Sequence, residues 1–188
     1  MENMIEPCCI QEQLPKLMKA QKQGVFYSNG DWGVQKLMFS VSWLVARPAV
    51  NVLLLPTLDV FFCRYLADWL RKGWVTCMMI ATQEDCSDMV ASEFAGMEGM
   101  VGYVHRENLD VFAYMRYNNE NRLVVSGPLS LTGNGSFSQF NYRLNCTAEE
   151  FGEVVDPLVG MWNTKLRKEK ARLCADAKSF LKRKYLIK

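Results

Sequence analysis

The run Asn51-Val-Leu-Leu-Leu-Pro56 constrains the fold most. It is continuously apolar, as a strand covered on both faces must be. Asp59 follows in position to cap a helix through Phe61, Phe62, Tyr65, Leu66, Trp69 and Leu70, and Gly73 is placed to stop it. Trp74-Val-Thr-Cys-Met-Met-Ile-Ala81 then reads as the next buried strand. Strands alternating with helices in this way imply βαβ units, so the predicted class is α/β, with a parallel or mixed sheet flanked by helices.

The neighbouring segments fit that class. Ile10 to Gln23 reads as a short amphipathic helix around Leu14, Leu17 and Met18, with Pro15 near its start. Val25-Phe-Tyr-Ser28 is a short strand closed by Asn29-Gly30, and Asp31 is placed to cap a helix from Trp32 to about Val45. That helix is apolar nearly all round, which predicts burial. A short helix near Asp88 to Phe94 is followed by strands at Gly99 to His105, Asp110 to Tyr117 and Arg122 to Ser126. The Asn118-Asn-Glu-Asn121 turn makes the last two an antiparallel hairpin. Ser136 to Cys146 alternates loosely and reads as an edge or bent strand. Thr147 with Glu150 forms a capping box for a helix to about Trp162.

A length of 188 residues, about half of them apolar, fits one domain with a sizeable core. Apolar runs are short and the first residues, Met1-Glu-Asn-Met-Ile-Glu, carry no basic segment before an apolar one. Neither a leader nor a membrane span is expected, and the expected location is cytoplasmic. Seven cysteines, with no C-x-x-C pair and no neighbouring histidine, point to reduced, mostly buried thiols rather than a disulfide framework or a zinc site. The net charge of +2 hides a segregation. Between residues 165 and 188 ten cations (Lys165, Arg167, Lys168, Lys170, Arg172, Lys178, Lys182, Arg183, Lys184 and Lys188) face two acids, a local +8 that leaves −6 on the rest. The expected division is therefore a single domain over residues 1–164 and a basic C-terminal helix over 165–188. Such a segment suits nucleic acid, another polyanion or an acidic partner surface, and equally a solvated helix face.

Phe26-Tyr-Ser-Asn-Gly-Asp-Trp-Gly33, the strand, helix and strand from Asn51 to Ala81 with its Lys72-Gly73 turn, and the hairpin ending in Gly127-Pro-Leu-Ser-Leu-Thr132 occur in an order that resembles the phospholipase D-like superfamily. The likeness covers roughly residues 24 to 162 and implies a phospholipase D-like mixed sheet. The family's reaction needs a histidine nucleophile, a lysine two residues on and an asparagine that hold the phosphoryl oxygens, and a second histidine as acid; single-copy members complete the set by dimerising. Here the resemblance puts Asp110 or its neighbours at the histidine position, Phe112 at the lysine, Ser130 at the asparagine and Pro128 at the family's serine. No lysine lies between Lys72 and Lys165, and the only histidine, His105, precedes the hairpin strand. The resemblance thus implies a pseudoenzyme with neither cofactor nor metal.

Three functions follow. The first is a silent domain that binds nucleic acid through Lys165 to Lys184. The second is a homodimeric interaction module whose basic helix docks on an acidic protein. The third is a phosphodiesterase built on His105 with Arg106 or Arg116 in place of the lysine. Ser126-Gly127 lacks a nucleophile elbow, Gly133-Asn-Gly135 is too short to cradle phosphate, and Glu84, Asp85 and Asp88 form an acidic loop with no histidine partner.

Overall fold

The computed structural model of the chain describes residues 4–5, 9–29, 34–97, 100–109, 111–128, 137–147 and 149. Its elements are β1 (Met4–Ile5), α1 (Ile10–Ala20), β2 (Gln23–Asn29), α2 (Val34–Val41) running into a 3₁₀ turn (Ser42–Leu44), β3 (Ala49–Leu55), α3 (Val60–Arg71), β4 (Val75–Thr82), α4 (Ser87–Glu93), β5 (Val101–His105), β6 (Val111–Tyr117), β7 (Arg122–Pro128) and β8 (Phe137–Leu144). They form one eight-stranded sheet in the order β1-β2-β8-β7-β6-β3-β4-β5. The class is α/β and the sheet is mixed: β3, β4 and β5 are parallel neighbours, and β6, β7 and β8 form an antiparallel meander that reaches β2.

Local chemistry sets the boundaries. Asp59 stands at the N-cap of α3 and its carboxylate accepts from the Phe62 amide at 2.8 Å. Gly73 ends that helix with φ +66°, a conformation glycine takes without a Cβ penalty. In β6 and β7 the pairing runs without a bulge from Tyr117↔Arg122 to Val111↔Pro128. Asn118 holds the turn: its Oδ1 accepts from the Glu120 and Asn121 amides, and its Nδ2 donates to Ala46 O at 2.9 Å.

Each crossover, from β1 to β2, β2 to β3, β3 to β4 and β4 to β5, advances in the same direction across the sheet. Right-handed connections therefore place α1 to α4 on one face. The core agrees: Leu53, Leu55, Met78, Ile80, Phe112 and Tyr114 join the helical side chains in a single cluster. The alternate residues Val52, Leu54, Met79, Ala81 and Met115 point the other way and are equally buried. The covering of β3 on both faces is as its apolar run predicts.

Two expectations are corrected. The segment from Ser136 to Cys146, read as an edge or bent strand, is the interior strand β8, bonded to β2 on one side and β7 on the other. The helix expected to run to about Val45 ends at Val41, where a 3₁₀ turn takes over, and it is only partly buried; Leu37, Met38 and Val41 face the core, whereas Trp43 is 52 % exposed. The Asp31 cap, the Glu150 half of the capping box with the helix expected after it, and the basic C-terminal helix fall outside the described residues. Cys63, Cys77, Cys86 and Cys146 are buried thiols and Cys9 is half-buried.

Candidate functional site

The C-terminal ends of β2, β3, β4, β5 and β7 share one edge of the sheet with the start of β6. Open α/β sheets build their ligand sites at such an edge, and the resemblance would put its chemistry there. Phe112, which the resemblance puts at the lysine position, is wholly buried and meets the Phe140 ring edge-on at 6.1 Å. Asp110 and Ser130 lie outside the described residues, as do Lys165, Arg167, Lys168, Lys170, Arg172, Lys178, Lys182, Arg183 and Lys184. Pro128 ends β7 exposed.

Beside this hairpin the β4–α4 loop is tied to the sheet. The Cys86 amide donates to the Tyr103 hydroxyl at 2.7 Å, the Thr82 hydroxyl lies 2.7 Å from the same oxygen, and Thr82 donates to Glu84 O at 2.6 Å. Burial pushes the Tyr103 phenol up, so it stays a neutral hydrogen-bonding group near neutral pH. The Ser87 hydroxyl and amide donate to Asp85 and hold its carboxyl below the usual range. His105 Nε2 lies 3.0 Å from Gln83 O, and because a carbonyl can only accept, that nitrogen carries a proton. These bonds fix a loop. Among the described residues no three of His, Cys, Asp and Glu gather closely enough to hold a metal ion.

His105 and Arg106 are adjacent at this edge, but Arg116 is not with them. His105 pairs with Thr82, whereas Arg116 pairs with Asn51, which is level with Met78. At about 3.3 Å per residue the two lie roughly 13 Å apart along the strands, with β3 and β4 between them. Arg116 is 2 % exposed; it donates to Asn51 Oδ1 at 3.0 Å and makes longer contacts with Val45 O at 3.4 Å and Trp74 O at 3.5 Å. Its guanidinium lies 5.8 Å from the Trp69 ring. A structural role for Arg116 gave no sign in the sequence.

Next to it in β6, burial pushes the Tyr114 phenol up to about 12, the neighbouring Arg116 opposing the shift. Burial does the same to the Cys63 thiol, also to about 12. The unfolded chain then releases these protons first, at ordinary values near 10.0 for the phenol and 9.0 for the thiol. The folded state should lose stability as pH rises through that window toward 12. Tyr114→Phe should remove its part of the loss, on the order of 2 kcal/mol between pH 9 and 12. Urea unfolding across that range measures it, and an unchanged slope would contradict the assignment.

The opposite edge holds a feature the sequence reading missed. Here the chain leaves α1, α2 and α3 to enter β2, β3 and β4, and β6 turns into β7. A cleft of about 340 Å³ opens between the start of β3 and the β6–β7 turn, lined by Arg47, Pro48, Ala49, Thr76, Asn119 and Glu120 among others. The Arg47–Pro48 peptide is cis. The Arg47 guanidinium stands directly over the Trp74 ring, 3.4 Å from its centroid, and Lys72 Nζ lies 5.0 Å from the same ring. Lys19 similarly sits 4.0 Å over Trp43. Stacking of this kind is worth about 0.5–1 kcal/mol at an exposed site and holds the cation in place.

No family model matches the chain, and no curated protein matches it. Among solved structures, that of TrmBL2, described as an archaeal chromatin protein with a novel mode of DNA binding, superposes with a TM-score of 0.45 at 14% identity. The alignment covers 87% of this chain and 61% of that protein, so the chain spans less than two thirds of its length. No helix among the described residues is long and apolar enough to cross a membrane.

Proposed function

We propose that the protein is a catalytically silent, phospholipase D-like domain that binds nucleic acid or a comparable polyanion. One observation carries the binding: ten cations against two acids between residues 165 and 188, on a chain whose remainder is at −6. A segment of that charge releases condensed counterions when it meets phosphates, which is the main source of sequence-independent affinity. The silent part is supported by the hairpin, where Phe112 fills the core in place of a phosphate-holding lysine. An apolar side chain there supplies no charge to a developing oxyanion, and losing such a group costs several powers of ten in rate.

The test is fluorescence anisotropy with labelled single- and double-stranded DNA over a salt series. It compares the full chain with a variant in which Lys165, Arg167, Lys168, Lys170 and Arg172 are all glutamine. Affinity should fall steeply with salt, and the variant should bind at least tenfold more weakly with a shallower slope. Equal binding by the two proteins would sink this reading.

A further inference from the structure

We infer that the cleft beside Arg47, Lys72 and Trp74 binds a phosphodiester of single-stranded nucleic acid, at the edge of the sheet opposite the family's active-site hairpin. The inference rests on the proposed polyanion binding and gives it a contact surface in the folded domain. Three observations support it.

The first is the state of the two cations. Arg47 is exposed, and neither it nor Lys72 has a carboxylate within ion-pair distance among the described residues. Lys72 has a local reason for its place, since it caps the carbonyl end of α3, where the helix dipole favours a positive charge. Arg47 has none, being in the connection before β3. Its guanidinium is held over Trp74 by the ring rather than by an acid. A guanidinium stacked in this way keeps its in-plane N–H donors at the edge, available for the oxygens of a phosphate.

The second is the buried charge beneath. Arg116 contacts the carbonyl of Trp74, and the acceptors it reaches among the described residues are neutral: an asparagine side chain and two backbone oxygens. A cation in a low-dielectric interior with no carboxylate against it projects its potential outward and adds to that of Arg47 and Lys72.

The third is the company of aromatics and polar groups. Trp43, half-exposed, lies three residues before the cleft residue Ala46, while Thr76 and Asn119 offer hydroxyl and amide groups on the lining. Cations interleaved with indole rings are the pattern of sequence-tolerant single-strand binding, in which bases stack and the backbone follows the positive charge. Glu120, at the turn tip, is the one acid among the described residues of the lining and opposes an anion there.

The test uses the full chain, a labelled oligothymidylate and the same salt series. The double variant Arg47→Gln/Lys72→Gln alters only exposed positions, and its thermal midpoint should fall by only a few degrees, for the lost stack on Trp74 and the lost charge at the end of α3. Its affinity should drop about tenfold, and its salt slope should become shallower by about 1.4, the value for two phosphate contacts on a single strand. Glu120→Gln should bind about threefold more tightly, because it removes a like charge from the path of the backbone. If the double variant binds like the unaltered chain while the tail-neutralised variant does not, this inference is overturned and the polyanion reading stands. If the unaltered chain itself fails to bind, both fall. Displacement of the oligonucleotide by an equal phosphate concentration of inorganic phosphate would assign the cleft to small phosphate compounds and overturn the nucleic-acid part.

Discussion

Arg116→Ala is expected to cost the fold about 3–5 kcal/mol, a large share of the roughly 5–15 kcal/mol by which a domain is stable. Two effects add. The truncation empties a site in which the long side chain is 2 % exposed, against Trp69. It also removes the donor that satisfies Asn51 Oδ1 and reaches toward Val45 O and Trp74 O, and each buried acceptor left alone costs about 1–3 kcal/mol. The two contributions separate in further variants. Arg116→Met keeps most of the volume and should lose less, about 1–3 kcal/mol. Adding Asn51→Leu to it removes the stranded amide as well and should recover much of the remainder, because a buried polar pair replaced on both sides by apolar groups is often neutral. Urea denaturation of the three proteins gives the comparison. A loss below 1 kcal/mol for Arg116→Ala would show that the guanidinium is a passenger rather than a tie between β3, β6 and the loops entering β3 and β4.

Phe140→Ala should cost a similar amount, about 3–5 kcal/mol, for a different reason. The Phe140 ring stacks on Phe26 across the β2–β8 pair, with centroids 5.2 Å apart and planes 19° from parallel, and takes Phe112 edge-on. It therefore joins β2, β8 and β6 through one side chain. The ring also lies over Gly127 of β7, where an added Cβ would run into Phe140 Cδ1 and come within 3.1 Å of Gln139 O. Gly127→Ala alone should therefore destabilise by about 1–3 kcal/mol through overpacking. In the Phe140→Ala background the same substitution should cost far less, since the ring atoms are gone and only the contact with Gln139 O remains. A double-mutant cycle reads this coupling, and simple additivity of the two losses would refute the contact.

How far the sequence revealed these features depended on whether the information was local. Asp59, Gly73 and the Asn118 turn do their work through neighbours a few residues away, so the boundaries of α3 and the β6–β7 hairpin were legible. The double-sided burial of β3 was legible too, because an uninterrupted apolar run leaves no wet face. In β8, Phe140, Tyr142 and Leu144 are buried while Gln139, Asn141 and Arg143 are exposed. Such alternation says that one face meets water and is silent on how many strands lie alongside, so an interior strand was read as an edge or bent one. The two-residue strand β1 gave no pattern at all. Arg116 looked like an arginine available to a phosphate, since nothing local distinguishes a buried guanidinium satisfied by Asn51 from a surface one. The cleft was hidden for the same reason, with Arg47, Trp74 and Asn119 meeting only once the crossovers return the chain to one edge.

The pairing of β2 with β8 has a bearing on how the protein is made. Among the described strands β2 bonds only to β1 and β8, and β8 follows every other strand in the chain. On the ribosome, β3, α3, β4 and β5 can assemble as they emerge, because their contacts are near in sequence. The strand β2 leaves the exit tunnel before all of them and must wait with one long edge unsatisfied until residues 137–144 arrive. Closing so long a loop is slow, and an open strand edge invites pairing with other chains. During synthesis the most vulnerable part of this protein is thus a strand that appears long before its partner, and chaperone protection would matter most over that interval.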